Sequence, residues 1–372
     1  MQLVLWSVVI CIMFCADASA QTTSVWTSWR DANEATSAAL AKKNYALAEK
    51  AAKTAVILYS QEPSEFSAEV YIVLLDNAFQ MVFTNTKNRR KTWKYLGPRL
   101  EYLMDRRIPL PPEFVDLGLL YSQVYLSAPV VSAQKSLLKQ KAELIQRLEH
   151  VAKDTLPVTD PRVLEARYFT LMSERSFRKK RIVRREFSEL LDKAISLNNT
   201  DVALRSLSSL AGLMTAIFRD HEEALELIRV KTLEIGVENI PKTRREELFM
   251  VVAAALFLDY GPDKAEAELS SIEALEAPEL VYDEDGDVQL QPLKRYSPNF
   301  RNIRSKKFIL LSFTVNRKGK TEQIKILSSD LTDLNEDAAI EAVEKWRYLP
   351  AFEDGKFKPV ENVRVVFTVQ PP

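Results

Sequence analysis

Cysteine, histidine and glycine are scarce in this chain of 372 residues, which has two cysteines, two histidines and eight glycines. Both cysteines, Cys11 and Cys15, fall near the N-terminus. Disulfides, Cys-ligated metal sites and thiol catalysis are therefore excluded for the chain after Cys15. The low glycine content argues against an all-β fold and against a glycine-rich phosphate-binding loop.

An excess of positive charge is also missing. Lys and Arg together number 51, as do Asp and Glu, so the net charge is zero and no nucleic-acid partner is expected. One basic run, residues 175–185, could contact phosphates or an acidic partner. Its only aromatic residue is Phe177, which leaves nucleotide bases without a stacking platform. We interpret the run as a solvated helix face.

The first 20 residues form a predicted signal peptide. An apolar stretch from Leu3 to Cys15, broken only by Ser7, precedes the small residues Ala18-Ser19-Ala20. This order is typical of a secretory signal with an A-x-A cleavage site, although no basic residue precedes the apolar stretch. Cleavage would remove both cysteines, which suits an oxidising compartment. An uncleaved membrane anchor and a lipid-modified Cys15 are the alternatives.

Residues 25–277 carry apolar side chains at helical spacing and predict about ten to twelve helices. Small residues recur where two helices of a pair would have to approach closely: Ala48 and Ala55, Gly212 and Ala224, and Ala265. The spacing resembles divergent tetratricopeptide repeats. We therefore predict a helix-turn-helix repeat domain, or solenoid, over residues 21–277, with a concave face for a partner. An irregular helical domain without a groove is the alternative.

The composition changes after this helical region. Six acidic and no basic residues fall in 276–287, which predicts a hydrated linker over residues 278–288. Residues 289–372 then show the order strand, strand, helix, strand. We expect an α+β domain with a three-stranded antiparallel sheet, whose helix begins at a cap formed by Asp333 or Asn335.

Several short motifs in this last region resemble the C-terminal domain of TonB-type energy transducers. They are Arg295-Tyr-Ser-Pro298, Leu311-Ser-Phe-Thr-Val315 with Gly319, Lys345-Trp-Arg-Tyr-Leu-Pro350, Asp354-Gly-Lys356 and the closing apolar strand. Two departures occur, because Lys307 stands where a glycine is usual and Ser297 splits the usual Tyr-Pro pair. The resemblance covers about a fifth of the chain. The N-terminal segment and the helical region do not resemble the coupling helix and proline-rich spacer of a full transducer.

The resemblance implies a site at which the last strand receives a short extended peptide from an outer-membrane transporter. The pattern itself supports such a site, since an apolar alternating strand left at a sheet edge is either a docking site or an aggregation hazard. The predicted peptide-binding residues are Asn362, Val363, Arg364, Val365, Val366, Phe367, Thr368 and Val369, with Tyr296, Arg347 and Tyr348 nearby. Each of these tyrosines could instead complete a small core.

We therefore expect a non-enzymatic periplasmic protein of a Gram-negative cell that binds transporter peptides, or other periplasmic proteins, in support of transmembrane transport. A scaffold that works through its helical repeat is the alternative, as are an inner-membrane tether if the signal is uncleaved and a homodimer through the edge strand. No catalytic, metal or cofactor site is predicted, because His150 and His221 lie on separate predicted helices outside any catalytic motif. Both are expected to be surface or capping histidines.

Overall fold

The computed structural model describes residues 26–62, 66–86, 89–106, 108–127, 135–272, 275–279, 290, 292–301 and 305–369. The predicted signal peptide and most of the predicted linker lie outside these residues. The chain divides into two compact units, and the boundary along the sequence falls between Arg178 and Lys179. The last helices of the predicted repeat region thus belong to the same unit as the C-terminal sheet. Independent folding of residues 21–277 and 289–372 stays a prediction.

The first unit consists of helices that pack on their neighbours in sequence. They are α1 (Trp29–Ala41), α2 (Tyr45–Ser60), α3 (Ala68–Thr86), α4 (Arg89–Asp105), α5 (Pro112–Ser127), α6 (Lys135–Thr155) and α7 (Pro161–Glu174). Asn44 caps α2 by accepting a hydrogen bond from the Leu47 amide, and Asp160 caps α7 just before Pro161. Ala48 and Ala55 are fully buried, as their spacing predicts for a close helix pair.

The second unit begins with five more helices. They are α8 (Lys180–Ser196), α9 (Thr200–Leu213), α10 (His221–Ile235), α11 (Lys242–Tyr260) and α12 (Pro262–Ser270). A Cβ added at Gly212 would lie 3.5 Å from Val251 on α11, and Ala224 and Ala265 have no exposed surface. The described chain therefore contains twelve helices before the sheet, and the predicted order of a helical region followed by an α+β domain is confirmed.

The C-terminal part of this unit is built on one antiparallel sheet of three strands in the order β3-β2-β7. Its elements are β1 (Pro292–Lys294), β2 (Lys307–Val315), β3 (Thr321–Ser329), α13 (Asp333–Glu344), β4 (Arg347–Tyr348), β5 (Ala351–Glu353), β6 (Lys356–Lys358) and β7 (Val360–Val369). The predicted three-stranded sheet is confirmed. The short β1–β4 and β5–β6 pairs were not predicted, because two or three residues are too few to show a period.

Alternation along β2 makes one face of the sheet apolar. Ile309, Leu311, Phe313 and Val315 are buried at 2% exposure or less, and α13 covers them together with Trp346. Trp346 packs edge-on against Phe313, with ring centroids 6.3 Å apart. These contacts form the core that holds β2 and β7 together.

The predicted cap of α13 is wrong. The N-cap residue is Thr332, and no side chain makes the capping hydrogen bond. Asn335 is 4% exposed, and its amide group instead bonds both backbone groups of Arg301. The reason is that a buried amide must satisfy its donor and its acceptor, and a passing segment offers partners for both.

Candidate functional site

The last strand, β7, lies at one edge of the sheet. It is paired along one side with the central strand β2, and no further strand lies on its other side within the described chain. Pairing runs without interruption from Lys307 opposite Val369 to Phe313 opposite Val363. A regular strand in this position presents a row of backbone hydrogen-bonding groups to its surroundings.

The hydrogen bonds of Phe308 show which backbone groups of β7 point outwards. Its N–H donates to Asp330 Oδ1 at 2.6 Å and its carbonyl accepts from the Asp330 amide at 3.2 Å, so both groups face the end of β3. Backbone groups in an antiparallel strand alternate in direction, and those of Ile309 and Leu311 therefore face β7. Their partners Phe367 and Val365 face inwards.

The other residues of β7 alternate with these. Thr368 lies opposite Phe308, Val366 opposite Leu310 and Arg364 opposite Ser312. Their backbone groups point away from β2. We call the outward backbone groups of Val366 and Thr368 the β7 rim. Asn362 does not belong to it, because a shift in register before Val363 places Asn362 in a bulge with φ of 56°. The regular rim is therefore shorter than the predicted stretch 362–369.

The opposite edge of the sheet is irregular. The pairing of β3 with β2 shifts in register twice, and Gln323 on β3 has φ of 52°. Bulges of this kind bend an edge strand and interfere with pairing by another chain. Of the two edges, only the β7 rim offers a straight run of backbone groups within the described residues.

The side chains of β7 divide between two faces. Val363 points into the core at 3% exposure, and Val365, Phe367 and Val369 are partly buried on the same face. Arg364 and Thr368 are exposed on the other face, with Val366 between them at 58% exposure. A chain lying along the rim would therefore contact Arg364, Val366 and Thr368 on one face of the sheet and the aromatic side chains near Phe367 on the other.

The aromatic side of the rim comes from residues 295–301. Phe300 lies edge-on to Phe367, with ring centroids 6.0 Å apart, and Tyr296 keeps 39% of its surface exposed. Two buried side chains hold this segment: Trp346 Nε1 donates to the Tyr296 carbonyl at 2.8 Å, and Asn335 bonds the backbone of Arg301. The sequence did not indicate the anchoring role of Asn335, because its partner lies 34 residues away.

Two of the predicted peptide-binding side chains have other roles. Tyr348 is 1% exposed and packs against Phe313, and its burial raises the pKa of its hydroxyl. The guanidinium of Arg347 donates to the Trp346 carbonyl at 2.6 Å, next to the end of α13. Tyr348 therefore completes the core and Arg347 stabilises a helix end. Tyr348 is therefore too buried to contact a peptide, whereas a peptide contact by Arg347 stays a prediction.

The other residues examined in the sequence lie in helices. His150 is exposed, as predicted. The prediction for His221 is wrong, because it is 3% exposed and its Nε2 lies 2.7 Å from Asp259 Oδ2 on α11. Several arginines of the basic run form ion pairs within their own units: Arg178 with Glu174, Arg184 with Asp220 and Glu223, and Arg185 with Glu189. This pairing fits the interpretation as a helix face.

Comparison with known proteins identifies the region that contains this site. The family model for the Gram-negative bacterial TonB protein C-terminal matches residues 294–369. These residues are similar to a TonB-type C-terminal domain, and we call them the TonB-type domain. The β7 rim and the segment that carries Tyr296 both lie in the matched region. A TonB-type domain points to a TonB-like role in transport.

The remaining comparisons concern the whole chain. No curated protein matches it. It resembles the crystal structure of BtubC (BKLC) from P. vanneervenii at a TM-score of 0.42 and 13% identity, over 76% of this chain and 97% of that one. That likeness assigns no function. One stretch of the described residues, Thr200–Phe218, is long and apolar enough to span a membrane, but 61% of it is buried within the protein, as in a core helix.

Proposed function

We propose that the protein is a periplasmic binding protein that captures an extended peptide segment of an outer-membrane transporter along the β7 rim, without catalysing a reaction. The peptide adds a fourth strand to the sheet beside β7. The observation that carries this proposal is the regular rim, with outward backbone groups at Val366 and Thr368 and no strand beside them in the described chain. Strand addition is the binding mode that such an edge supports.

The magnitude of backbone pairing limits the affinity. Val366 and Thr368 offer four backbone groups, and at about 1 kcal/mol net for each hydrogen bond they contribute roughly 4 kcal/mol. A dissociation constant of about 1 mM corresponds to that free energy, and tighter binding requires side-chain contacts. Val366 on one face and the rings of Tyr296 and Phe300 on the other supply them.

The same domain and the N-terminal sequence support the proposed periplasmic location. Residues 1–20 have the pattern of a secretory signal, and the TonB-type domain is typical of the Gram-negative envelope. A chain without cysteine after Cys15 also suits an oxidising compartment. An uncleaved N-terminus would tether the same binding domain to the inner membrane.

Amide resonances of the full chain test the proposal. Synthetic peptides that copy extended periplasmic segments of outer-membrane transporters are titrated into isotope-labelled protein. We expect shifts and slowed hydrogen exchange at the amides of Val366 and Thr368, with little change in exchange at Val365 and Phe367, which already bond β2. Saturating peptide without any shift along β7 would contradict the proposal.

Two other outcomes identify the alternatives. Shifts confined to the helices would favour a scaffold that binds partners through its helical repeat. Protection of Val366 and Thr368 that depends on protein concentration, without peptide, would indicate a homodimer formed through the same rim. Sedimentation at the same concentrations distinguishes that dimer from a peptide complex.

A further inference from the structure

The TonB-type domain contacts the last two helices of the repeat region inside the second unit. Arg317, in the turn between β2 and β3, donates to both carboxylate oxygens of Glu266 on α12, at 2.9 and 2.8 Å. It also donates to Asp263 at 2.7 Å. The Glu266 side chain is 12% exposed and also accepts a hydrogen bond from the backbone amide of Phe357, at 2.8 Å. One carboxylate thus joins α12 to the β2–β3 turn and to the β5–β6 hairpin.

Beside these polar contacts runs a continuous series of four aromatic rings. The ring centroids of Phe249 on α11 and Phe352 on β5 are 5.1 Å apart. The centroid of Phe357 on β6 lies 5.0 Å from that of Phe352 and 4.8 Å from that of Phe257 on α11. Phe357 is 2% exposed and Phe257 is 6% exposed. Two helix residues and two hairpin residues therefore share one apolar core, which is the property of a fixed interface rather than of a transient contact.

Backbone contact in this region is also close. Gly319 has φ of 70°, and a Cβ at this position would lie 2.9 Å from the ring of Phe257 and 2.3 Å from the Tyr348 carbonyl. Glu276, just before the predicted linker, accepts from Arg245 at 3.1 Å, and Glu279 within it accepts from Lys242 at 2.5 Å. These ion pairs place the first residues of the linker beside α11.

We propose that α11, α12 and the TonB-type domain form one rigid body, held by an interface that we call the hairpin joint: Arg317, Phe352 and Phe357 of the domain with Phe249, Phe257 and Glu266 of the helices. The joint uses the β2–β3 turn and the β5–β6 hairpin, and β7 contributes none of its members. Helices α11 and α12 therefore fix the orientation of the β7 rim within the second unit. The joint itself does not depend on peptide binding. If the proposed function holds, tension on a bound peptide passes through the joint directly into α11 and α12.

Distance measurements between two spin labels test the joint in the full chain. The labels are attached at Thr243→Cys on α11 and Asp337→Cys on α13, which are both exposed. Cys11 and Cys15 are replaced by alanine so that only these positions react. The joint predicts a single narrow distance distribution by pulsed electron spin resonance. Arg317→Glu and Phe357→Ala should each broaden it by about twofold or more, since relative motion is the default for domains without a firm apolar interface.

A matched control is Lys345→Glu, which reverses a charge that pairs with Glu341 within α13 alone and should leave the distribution unchanged. Arg317 lies at the surface, so Arg317→Glu remains informative if Phe357→Ala does not fold. A broad or multiple distribution in the chain without joint substitutions would overturn the proposal, as would a narrow distribution that survives both Arg317→Glu and Phe357→Ala. No peptide is present, so failure of peptide binding cannot produce either result.

Discussion

Replacing neighbouring residues of β7 by proline should separate binding from stability. The N–H of Val366 points away from β2, whereas the N–H of Val365 points towards the carbonyl of Leu311 in the ladder. Proline removes the N–H and fixes φ near a value that an edge strand tolerates. Val366→Pro should therefore abolish peptide binding in a folded domain, and Val365→Pro should damage the domain itself.

The expected magnitudes follow from the burial of each site. Val366 is 58% exposed, so Val366→Pro should change the free energy of unfolding by about 0.5 kcal/mol or less. Val365→Pro leaves the carbonyl of the fully buried Leu311 without its donor, which costs about 1 to 3 kcal/mol. On the binding side, Val366→Pro removes one rim donor and places its ring against the incoming strand. We expect Val366→Pro to lose about 1.4 kcal/mol or more of binding free energy, which corresponds to at least tenfold weaker peptide binding.

Urea unfolding and peptide titration by calorimetry measure the two effects on the same samples. Val366→Thr is the control, because it keeps the N–H and the strand propensity while changing the exposed side chain. If Val366→Pro destabilised the domain as much as Val365→Pro, the inward and outward alternation derived from Phe308 would be wrong. Unchanged peptide affinity in Val366→Pro would place binding elsewhere.

Three further predictions concern a buried hydrogen bond, a close backbone approach and an ionisable side chain. Trp346→Phe should lower the free energy of unfolding by about 1 to 3 kcal/mol, as read by urea denaturation, because the Tyr296 carbonyl loses its donor. Gly319→Ala should cost about 1 to 3 kcal/mol or more in the same assay, whereas Gly261→Ala, with a similar φ but open space, should cost less. Burial would raise the pKa of Glu149, but hydrogen bonds from Lys153 and Thr170 and the charge of Arg167 lower it overall. Its contribution to stability is therefore present above the ordinary pKa of 4.5 and is lost as the pH falls through the folded value, so thermal melts of Glu149→Gln should depend less on pH in that range.

The sequence by itself determined the local elements and the family of the last domain. Alternating apolar residues specify β2 and β7, and the spacing of Ala48 and Ala55 specifies a close helix pair, because each pattern records which face of an element is buried. The motif around Trp346 and the shorter motifs beside it were sufficient to predict the resemblance that the family model finds over residues 294–369.

Only the tertiary structure decided what each side chain contacts across long separations. Tyr348 was predicted at the binding surface but fills the core, since the sequence shows that a ring is present and not which cavity receives it. The bulge at Asn362 fixes where the regular rim begins. The bonds of Arg317 to α12 span 51 and 54 residues. Periodicity within one element carries no information about such partners, because packing selects them only after the elements have assembled.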